Sequence, residues 1–231
     1  MSNSDIGQFI LYMVALVFSL SLHEAAHAWM SNRFGDDLAR SQGRITLNPL
    51  SHVDPIGTLL FPAIAFFTHA PLLGWARPTP VNPARWRNKR VANIWVSAAG
   101  VIANAIIATV AAVIIRILFE TGVVNAMFSA RDFILVPSNP ESSWAEGAAM
   151  LLTVFFKLNV VLAVFNLIPI PPLDGSKILG SLLPESFESA MEAIEKFGFI
   201  LLLVAVFTGV FNVIFNVVMP LARNLVFIGR I

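Results

Sequence analysis

Long apolar runs constrain this chain more than any other feature of its sequence. The run from Val91 to Phe119 contains a single charged residue, Arg116, and the run from Phe197 to Val218 contains none. A helix needs about 20 predominantly apolar residues to cross the hydrocarbon core of a bilayer. The chain is 57% hydrophobic and 13% charged, with a mean hydropathy of +0.76, which leaves too little polar surface for a soluble domain of this length. We therefore predict an all-α polytopic membrane protein with about four spanning helices, over residues 6–32, 91–119, 145–167 and 197–218.

A shorter apolar piece lies between the first two predicted spans. Residues 56–67 are too few to cross a bilayer, and they contain Pro62, which interrupts a regular helix. Irregular backbone at membrane depth is tolerated only where protein or a water-filled cavity surrounds it. We expect a re-entrant or β-hairpin segment over residues 45–70. The loop over residues 120–144 is far below the ~50 residues of a small domain, so residues 1–231 are expected to form one membrane-embedded domain.

Charge placement predicts the orientation of the spans. With the N-terminus outside, the loops over residues 33–90 and 168–196 share the cytoplasmic side and hold ten of the fifteen Lys and Arg residues, in line with the positive-inside rule. No Lys or Arg precedes the first apolar run, so this run lacks the basic region of a signal peptide and is expected to be a retained helix. A net charge of +1 gives no indication of nucleic acid as a partner. The absence of cysteine excludes disulfides and thiolate ligands.

The end of the first predicted span carries the motif HEAAH, with His23, Glu24 and His27. Residues i and i+4 of a helix share one face, about 40° apart. Two imidazoles at this spacing can hold one tetrahedral metal ion, while Glu24 can reach a metal-bound water as a general base. In a soluble helix the motif also arises by chance. Inside a bilayer an ionisable group costs ~2.5–3.5 kcal/mol on insertion scales, so this group of residues favours a functional metal site.

A catalytic zinc ion usually has three protein ligands, and the motif supplies two. The other acidic residues near apolar or re-entrant sequence are Asp54 and Asp174. Asp174 follows the third predicted span, in NLIPIPPLDG, on the same predicted side as the end of the first span. An Asp-Gly turn or a helix N-cap also explains Asp174. Spacing alone therefore leaves the third ligand open.

These segments together resemble the site-2 proteases, the intramembrane zinc metalloproteases. HEAAH, SAAGVIANAIIA and NLIPIPPLDG follow one another on the predicted spans in the family's order, and the resemblance covers about residues 17–183. It implies one Zn²⁺ ion per chain held by His23, His27 and Asp174, with Glu24 as general base. It also implies hydrolysis within or next to a transmembrane helix of a membrane-protein substrate, that is, regulated intramembrane proteolysis. The implied location is the plasma or inner membrane, with the active site toward the cytoplasm.

Two further features refine the resemblance. LNPLSHVDPIG and GWARPTPVN look like the small form of the family, without PDZ or CBS domains. Val101 stands where family members often have proline after glycine. This departure concerns the local geometry of the second span rather than the chemistry.

Other polar residues are candidates for additional roles. One face of the second span carries the stripe Asn93, Ser97, Gly100 and Asn104. Packing and interhelical hydrogen bonds explain such a stripe, while the resemblance implies a substrate or oxyanion contact for Asn104. Asn166 is expected to satisfy broken backbone, with substrate orientation as the alternative. His52 is expected to be a hydrogen-bonded loop residue, with a contact to the metal or its ligands as the alternative. His69 and Lys157 receive no chemical role, although Lys157 is expected to pair with Glu146 or to extend toward the membrane surface.

The expected partners are the lipid bilayer and a transmembrane-helix substrate, and the sequence carries no signal for an oligomeric state. A helix buries its peptide bonds in hydrogen bonds, so the substrate must unwind locally. We expect residues 45–67 to pair with the unwound stretch as an added strand. An intramembrane metal transporter and a helix-binding relative without activity are the alternatives. A transporter requires a polar path across the whole span, and residues 6–17 offer only Gln8 and Tyr12.

Overall fold

The protein is mainly helical in the computed structural model, which describes residues 3–68, 74–129, 132–139 and 142–229. In chain order the elements are α1 (Asn3–Arg33), α2 (Leu38–Ser41), α3 (Phe61–Thr68), α4 (Lys89–Glu120), β1 (Val124–Phe128), β2 (Phe133–Pro137), α5 (Ser143–Leu167), α6 (Asp174–Leu182), α7 (Glu188–Lys196), α8 (Gly198–Phe207) and α9 (Val210–Val226). Short 3-10 turns cover Pro49–Ser51, Pro83–Arg85 and Glu185–Phe187, and a π-helical turn, Pro55–Leu60, leads into α3.

Helices α1, α4 and α5 are long and apolar enough to cross a membrane. Their ends lie within three residues of the first three predicted spans, and the predicted class of polytopic α-helical membrane protein is confirmed. Helix α4 packs against both α1 and α5, and α6 packs against α4. The three spans and α6 therefore form one packed unit, and the residues of the HEAAH motif and Asp174 lie within it.

The fourth predicted span is broken. Helices α8 and α9 are long and apolar enough to cross a membrane only when they are taken together, and the angle between them is 68°. The break is at Gly209, whose φ of +78° lies in the left-handed region that glycine adopts without steric penalty and that ends a helix. The continuous helix predicted over residues 197–218 is therefore corrected to two shorter helices.

The segment after α2 is helical rather than a strand. The Asp54 carboxylate accepts hydrogen bonds from the backbone N–H groups of Ile56 (3.0 Å) and Gly57 (2.6 Å), and Pro55 occupies the first helical position. An Asp cap followed by proline is a strong signal for the start of a helix. Residues 45–68 are all described and contain no strand, which corrects the predicted strand pairing of residues 45–67. The β-hairpin of the structure lies elsewhere, in the antiparallel pair β1–β2.

Contacts between loops show which ends of the spans lie together. At the start of α4, the Arg90 guanidinium donates to the carbonyls of Ser181 (2.5 Å) and Leu182 (3.0 Å) at the end of α6, so the two loops predicted to share one side do lie together. Next to the hairpin, Lys157 pairs with Asp132 at 2.7 Å rather than with Glu146, which was one of the two alternatives expected for it. His69 lies outside the described residues.

Candidate metal centre

Three side chains from two helices meet at the end of α1. The Nε2 atoms of His23 and His27 lie 3.0 Å apart. Oδ2 of Asp174, the first residue of α6, lies 3.3 Å from His23 Nε2 and 3.2 Å from His27 Nε2. All three residues are at least nine-tenths buried. The helical spacing of HEAAH places the two imidazoles on one face of α1. The loop between α5 and α6 places the Asp174 carboxylate against them.

Two glycines make this approach sterically possible. A Cβ on Gly100 of α4 would lie 2.5 Å from His23 Cε1 and from His27 Nε2, so α4 passes directly behind the imidazole pair. A Cβ on Gly175 would overlap the carbonyl group of Leu167 at the end of α5. Because any side chain at Gly175 would push the start of α6 away from α5, this glycine fixes the position of Asp174. Gly100 was expected only to allow helix packing, and its contact with the imidazoles is an additional role that the stripe of small residues does not indicate.

The hydrogen bonds of the two imidazoles set their protonation. His27 Nδ1 lies 2.6 Å from the Val96 carbonyl, which can only accept, so Nδ1 carries the proton and Nε2 presents a lone pair. His23 Nδ1 lies 2.7 Å from Asn104 Oδ1, and donation to that oxygen gives His23 the same tautomer. Oδ2 of Asp174 is buried and has no hydrogen-bond donor among the described residues. In these neutral tautomers, the two Nε2 atoms and Asp174 Oδ2 are acceptors that face one another at hydrogen-bond distance.

This donor set fits a divalent metal ion. Tetrahedral coordination with bond lengths of about 2.0–2.1 Å places ligand atoms about 3.3 Å apart, and the three separations are 3.0, 3.2 and 3.3 Å. Zinc sites commonly use histidine ligands whose other ring nitrogen donates to a carbonyl or amide oxygen, as His27 does here. The set of nitrogen and oxygen ligands also suits other transition metals, so the geometry alone indicates a cation site.

A second carboxylate, Glu24, also approaches the imidazoles. One of its oxygens lies within 4.8 Å of a ring nitrogen of each histidine. Glu24 Oε2 accepts the backbone N–H of Thr79 at 2.7 Å, and the Thr79 hydroxyl donates to the Glu24 carbonyl at 2.9 Å. No donor among the described residues contacts Oε1. Asp174 is the third ligand candidate, because its Oδ2 lies 3.2–3.3 Å from both Nε2 atoms. Glu24 lies beside the site, with one oxygen available for proton transfer.

Thr79 belongs to a stretch without regular secondary structure, residues 74–82, which we call the strap. The buried Arg44 guanidinium donates to the carbonyls of Ser51, Arg77 and Pro78, at 2.5, 2.5 and 3.0 Å. Burial lowers the pKa of the Arg44 side chain, and the nearby Glu24 carboxylate opposes that shift. Arg44 therefore fixes the strap immediately before Thr79. This role of Arg44 was not predicted, since an arginine in a basic loop has no local feature that distinguishes it.

The remaining candidates lie at different distances from the centre. Asn104 is fully buried and its Oδ1 contacts His23 Nδ1, which places it behind a ligand rather than on an open substrate face. Asn166 donates to the Leu162 carbonyl of its own helix at 3.0 Å, which lies within the regular part of α5, so its expected role at broken backbone stays a prediction. His52 Nε2 lies 2.9 Å from the Thr46 carbonyl, and its Nδ1 has no partner among the described residues. His52 therefore has the loop contact expected of it.

Comparisons with known proteins show which family the chain belongs to. A family model, Peptidase family M50, matches residues 11–206, a range that includes all three converging side chains and Glu24. The chain belongs to peptidase family M50, the site-2 protease family. It is 36% identical over 83% of its length to "Putative zinc metalloprotease YwhC" of Bacillus subtilis, covering 78% of that protein. It is 30% identical over 90% of its length to "Putative zinc metalloprotease Rip2" of Mycolicibacterium smegmatis, covering 71% of that protein.

A second Rip2 protein, from Mycobacterium tuberculosis H37Rv, is 29% identical over 86% of the chain and 67% of its own length. No solved structure matches the chain. Membership of family M50 confirms the resemblance stated from the motifs and makes the chain a site-2 protease-like peptidase. The apolar helices α1, α4 and α5 make it a multi-pass membrane protein.

Proposed function

We propose that this M50 member is a zinc-dependent endopeptidase that cleaves a peptide bond within or next to a transmembrane helix of a membrane-protein substrate. The observation that carries the proposal is the convergence of His23 Nε2, His27 Nε2 and Asp174 Oδ2 within 3.0–3.3 Å. Uncompensated acceptors at this distance repel one another in a buried site, and one cation relieves all three contacts. The names of the relatives, which are those of zinc metalloproteases, support zinc as that cation, with one ion per chain.

The proposed roles follow from the geometry around this ion. Zinc, when bound, polarises the scissile carbonyl and lowers the pKa of a bound water toward neutrality. Glu24 Oε1 takes a proton from the attacking water, while the Thr79 N–H holds Oε2 and so orients the carboxylate. A carbon–oxygen bond forms, the peptide carbon–nitrogen bond breaks, and Glu24 passes the proton to the leaving amine. Asn104 keeps His23 in place through the contact with its Nδ1.

The substrate must present an extended peptide at this site, because a helix shields its carbonyl carbons and amides. Residues 74–82, the strap, are not helical before Pro83 and run beside Glu24. Their backbone is the candidate for pairing with an unwound substrate, in place of residues 45–67. The charge asymmetry of the loops supports a cytoplasmic position for this end of the spans, and the proposed location is the plasma or inner membrane.

Glu24→Gln tests the proposal, because the amide keeps the size of the side chain and an acceptor for the Thr79 N–H but cannot take a proton. Zinc per chain and cleavage of a model transmembrane helix are measured in detergent micelles for the wild type and the variant. Glu192→Gln, on the exposed helix α7, is the matched control. The proposal requires about one zinc ion in all three proteins, with cleavage lost only in Glu24→Gln, by about 10²–10⁴-fold.

Each alternative gives a different result. A transporter would move zinc across a vesicle membrane and would not respond to Glu24→Gln in a cleavage assay, since it cleaves nothing. A helix-binding relative without activity would bind the model helix and leave it intact in the wild type. A wild type that binds no zinc contradicts the proposal outright.

A further inference from the structure

We propose that Asn159 of α5 is a positioning residue that fixes the tautomer of His23 and thereby the zinc affinity of the centre. This inference depends on the zinc site proposed above. Asn159 touches no ligand of the ion and was not singled out by any motif. It is fully buried, as are Ser19 and Asn104, and these side chains connect three spanning helices.

A chain of hydrogen bonds leads from α5 to the imidazole. Asn159 Nδ2 lies 2.8 Å from the Phe155 carbonyl and 2.8 Å from Ser19 Oγ. Asn159 Oδ1 lies 2.8 Å from Asn104 Nδ2. Asn104 Oδ1 in turn lies 2.7 Å from His23 Nδ1. The chain therefore runs from a main-chain carbonyl of α5, through two amides, to a ring nitrogen on α1.

The orientation of every group in this chain follows from its first member. The Phe155 carbonyl can only accept, so Asn159 turns its NH₂ group toward it and its oxygen toward Asn104. Because the Asn159 oxygen can only accept, Asn104 donates to it with its NH₂ group. This NH₂ group also faces the Ser19 carbonyl at 3.4 Å. The Asn104 oxygen then faces His23, so Nδ1 of His23 carries the proton. The lone pair of His23 is left on Nε2, the atom that faces His27 and Asp174.

The opposite arrangement shows what Asn159 contributes. If Asn104 were rotated so that its NH₂ group donated to His23 Nδ1, the proton of the ring would move to Nε2 and block the metal position. In the present structure that rotation would place the Asn104 oxygen 2.8 Å from the Asn159 oxygen, two acceptors in contact in a dry interior. Without Asn159, the Ser19 carbonyl at 3.4 Å is the only remaining described acceptor opposing the rotation. The Asn159 side chain therefore disfavours the tautomer that cannot bind zinc.

The test compares zinc affinity among variants of the full chain in detergent. Asn159→Leu removes the acceptor facing Asn104 and keeps the branched shape of the side chain, although its methyl groups are bulkier than the amide. Asn159→Ala removes the acceptor by truncation, so a folding defect from overpacking in the first variant leaves the second. Asn159→Asp keeps an acceptor toward Asn104 and, as the protonated acid, a donor toward Phe155. Thr153→Val is the matched control, because Thr153 is buried on the same helix and its hydroxyl donates only to the Ala149 carbonyl four residues earlier.

Competition with a chelator gives the zinc dissociation constant, and Co²⁺ absorption reports the tetrahedral ligand set without any substrate. Groups that hydrogen-bond to metal ligands commonly change metal affinity by about 10- to 100-fold. We expect Asn159→Leu and Asn159→Ala to lower zinc affinity by about tenfold. This is the low end of the range, because Asn159 acts through Asn104. We expect Asn159→Asp to recover most of that loss and Thr153→Val to match the wild type.

Equal affinities in Asn159→Leu, Asn159→Ala and Thr153→Val would overturn the inference. An equal loss in Asn159→Asp would also overturn it, since the acceptor would then not be the feature that counts. If the wild type itself bound no zinc, the proposed function would fail first. Wild-type binding with unaffected variants refutes the role of Asn159 alone.

Discussion

Replacing Gly100 by alanine tests the geometry of the metal centre most directly. The new Cβ would lie 2.5 Å from His23 Cε1 and from His27 Nε2, and 2.7 Å from His23 Nδ1. Ordinary contacts of a Cβ are 3.4–4 Å. Helix α4 or the two imidazoles must therefore move by about 1 Å, a shift to a normal van der Waals separation.

The expected cost falls mainly on zinc binding. Metal–ligand distances in a competent site stay within about 0.2 Å of their ideal values, so a 1 Å displacement is expected to lower zinc affinity by at least about 100-fold, or about 2.7 kcal/mol. Overpacking costs the fold about 1–3 kcal/mol, but alanine in place of glycine stabilises a helix by about 1 kcal/mol. The metal-free protein should therefore lose at most about 2 kcal/mol of stability, less than the loss in binding.

The assay measures the zinc dissociation constant and the unfolding midpoint of the metal-free protein for Gly100→Ala beside Gly147→Ala. Gly147 lies in α5, and a Cβ there would meet no described atom within 4 Å, so its substitution should leave zinc affinity unchanged. Wild-type affinity in Gly100→Ala would refute the reasoning, since α4 could not then lie against the imidazoles as described. A loss of affinity in both variants would show that the assay reports helix changes in general.

Two further substitutions test separate parts of the site, and a third tests an ion pair next to the hairpin. Asp174→Asn keeps the shape of the third ligand but removes its charge, and is expected to lower zinc affinity by more than about 100-fold, because even hydrogen-bond partners of ligands are worth about 10- to 100-fold; chelator competition measures this. Arg44→Met releases the strap and is expected to lower kcat by about tenfold or more, as small misplacements of a catalytic group do, with zinc content unchanged; Arg40→Met, at an exposed position, is the control. Lys157→Met breaks a partly exposed pair with Asp132, so we expect a stability loss of about 0–1 kcal/mol in thermal unfolding and unchanged cleavage.

The parts of the fold that depend on composition and helical periodicity could be predicted from the sequence. Apolar runs located α1, α4 and α5, because the length of a span follows from the thickness of the bilayer. The spacing of His23 and His27 gave their common face, because an α-helix has one geometry. Asp174 required more than spacing, since a turn or a cap explained it too, and only the resemblance to a family selected it as a ligand.

The features that were mispredicted or missed depend on conformation and distant contacts. Glycine is frequent in membrane helices, so the apolar run did not show that Gly209 would take a left-handed conformation and divide the last span. The start of the π-helical turn at Asp54 was readable, since an Asp cap followed by proline is a local signal. Arg44 contacts residues that lie 33 and 34 positions further along the chain. Asn159 contacts a residue that lies 55 positions earlier. No local pattern indicates contacts over such distances.

Two kinds of surroundings support the site. One is the scaffold, the buried side chains of Asn104 and Asn159, and the other is the strap, which is more accessible. Asn104 and Asn159 lie fully buried among spanning helices, where an unsatisfied polar group costs several kcal/mol, so each has one favourable orientation and the ligands stay fixed. Glu24 is held instead by Thr79, a half-buried residue of the strap, where water and a substrate peptide can approach. In the proposed roles, zinc retention depends on the first group and proton transfer on the second, which requires the strap to stay in place. Substitutions in the scaffold should therefore change zinc affinity, whereas substitutions that release the strap should change turnover at constant zinc content.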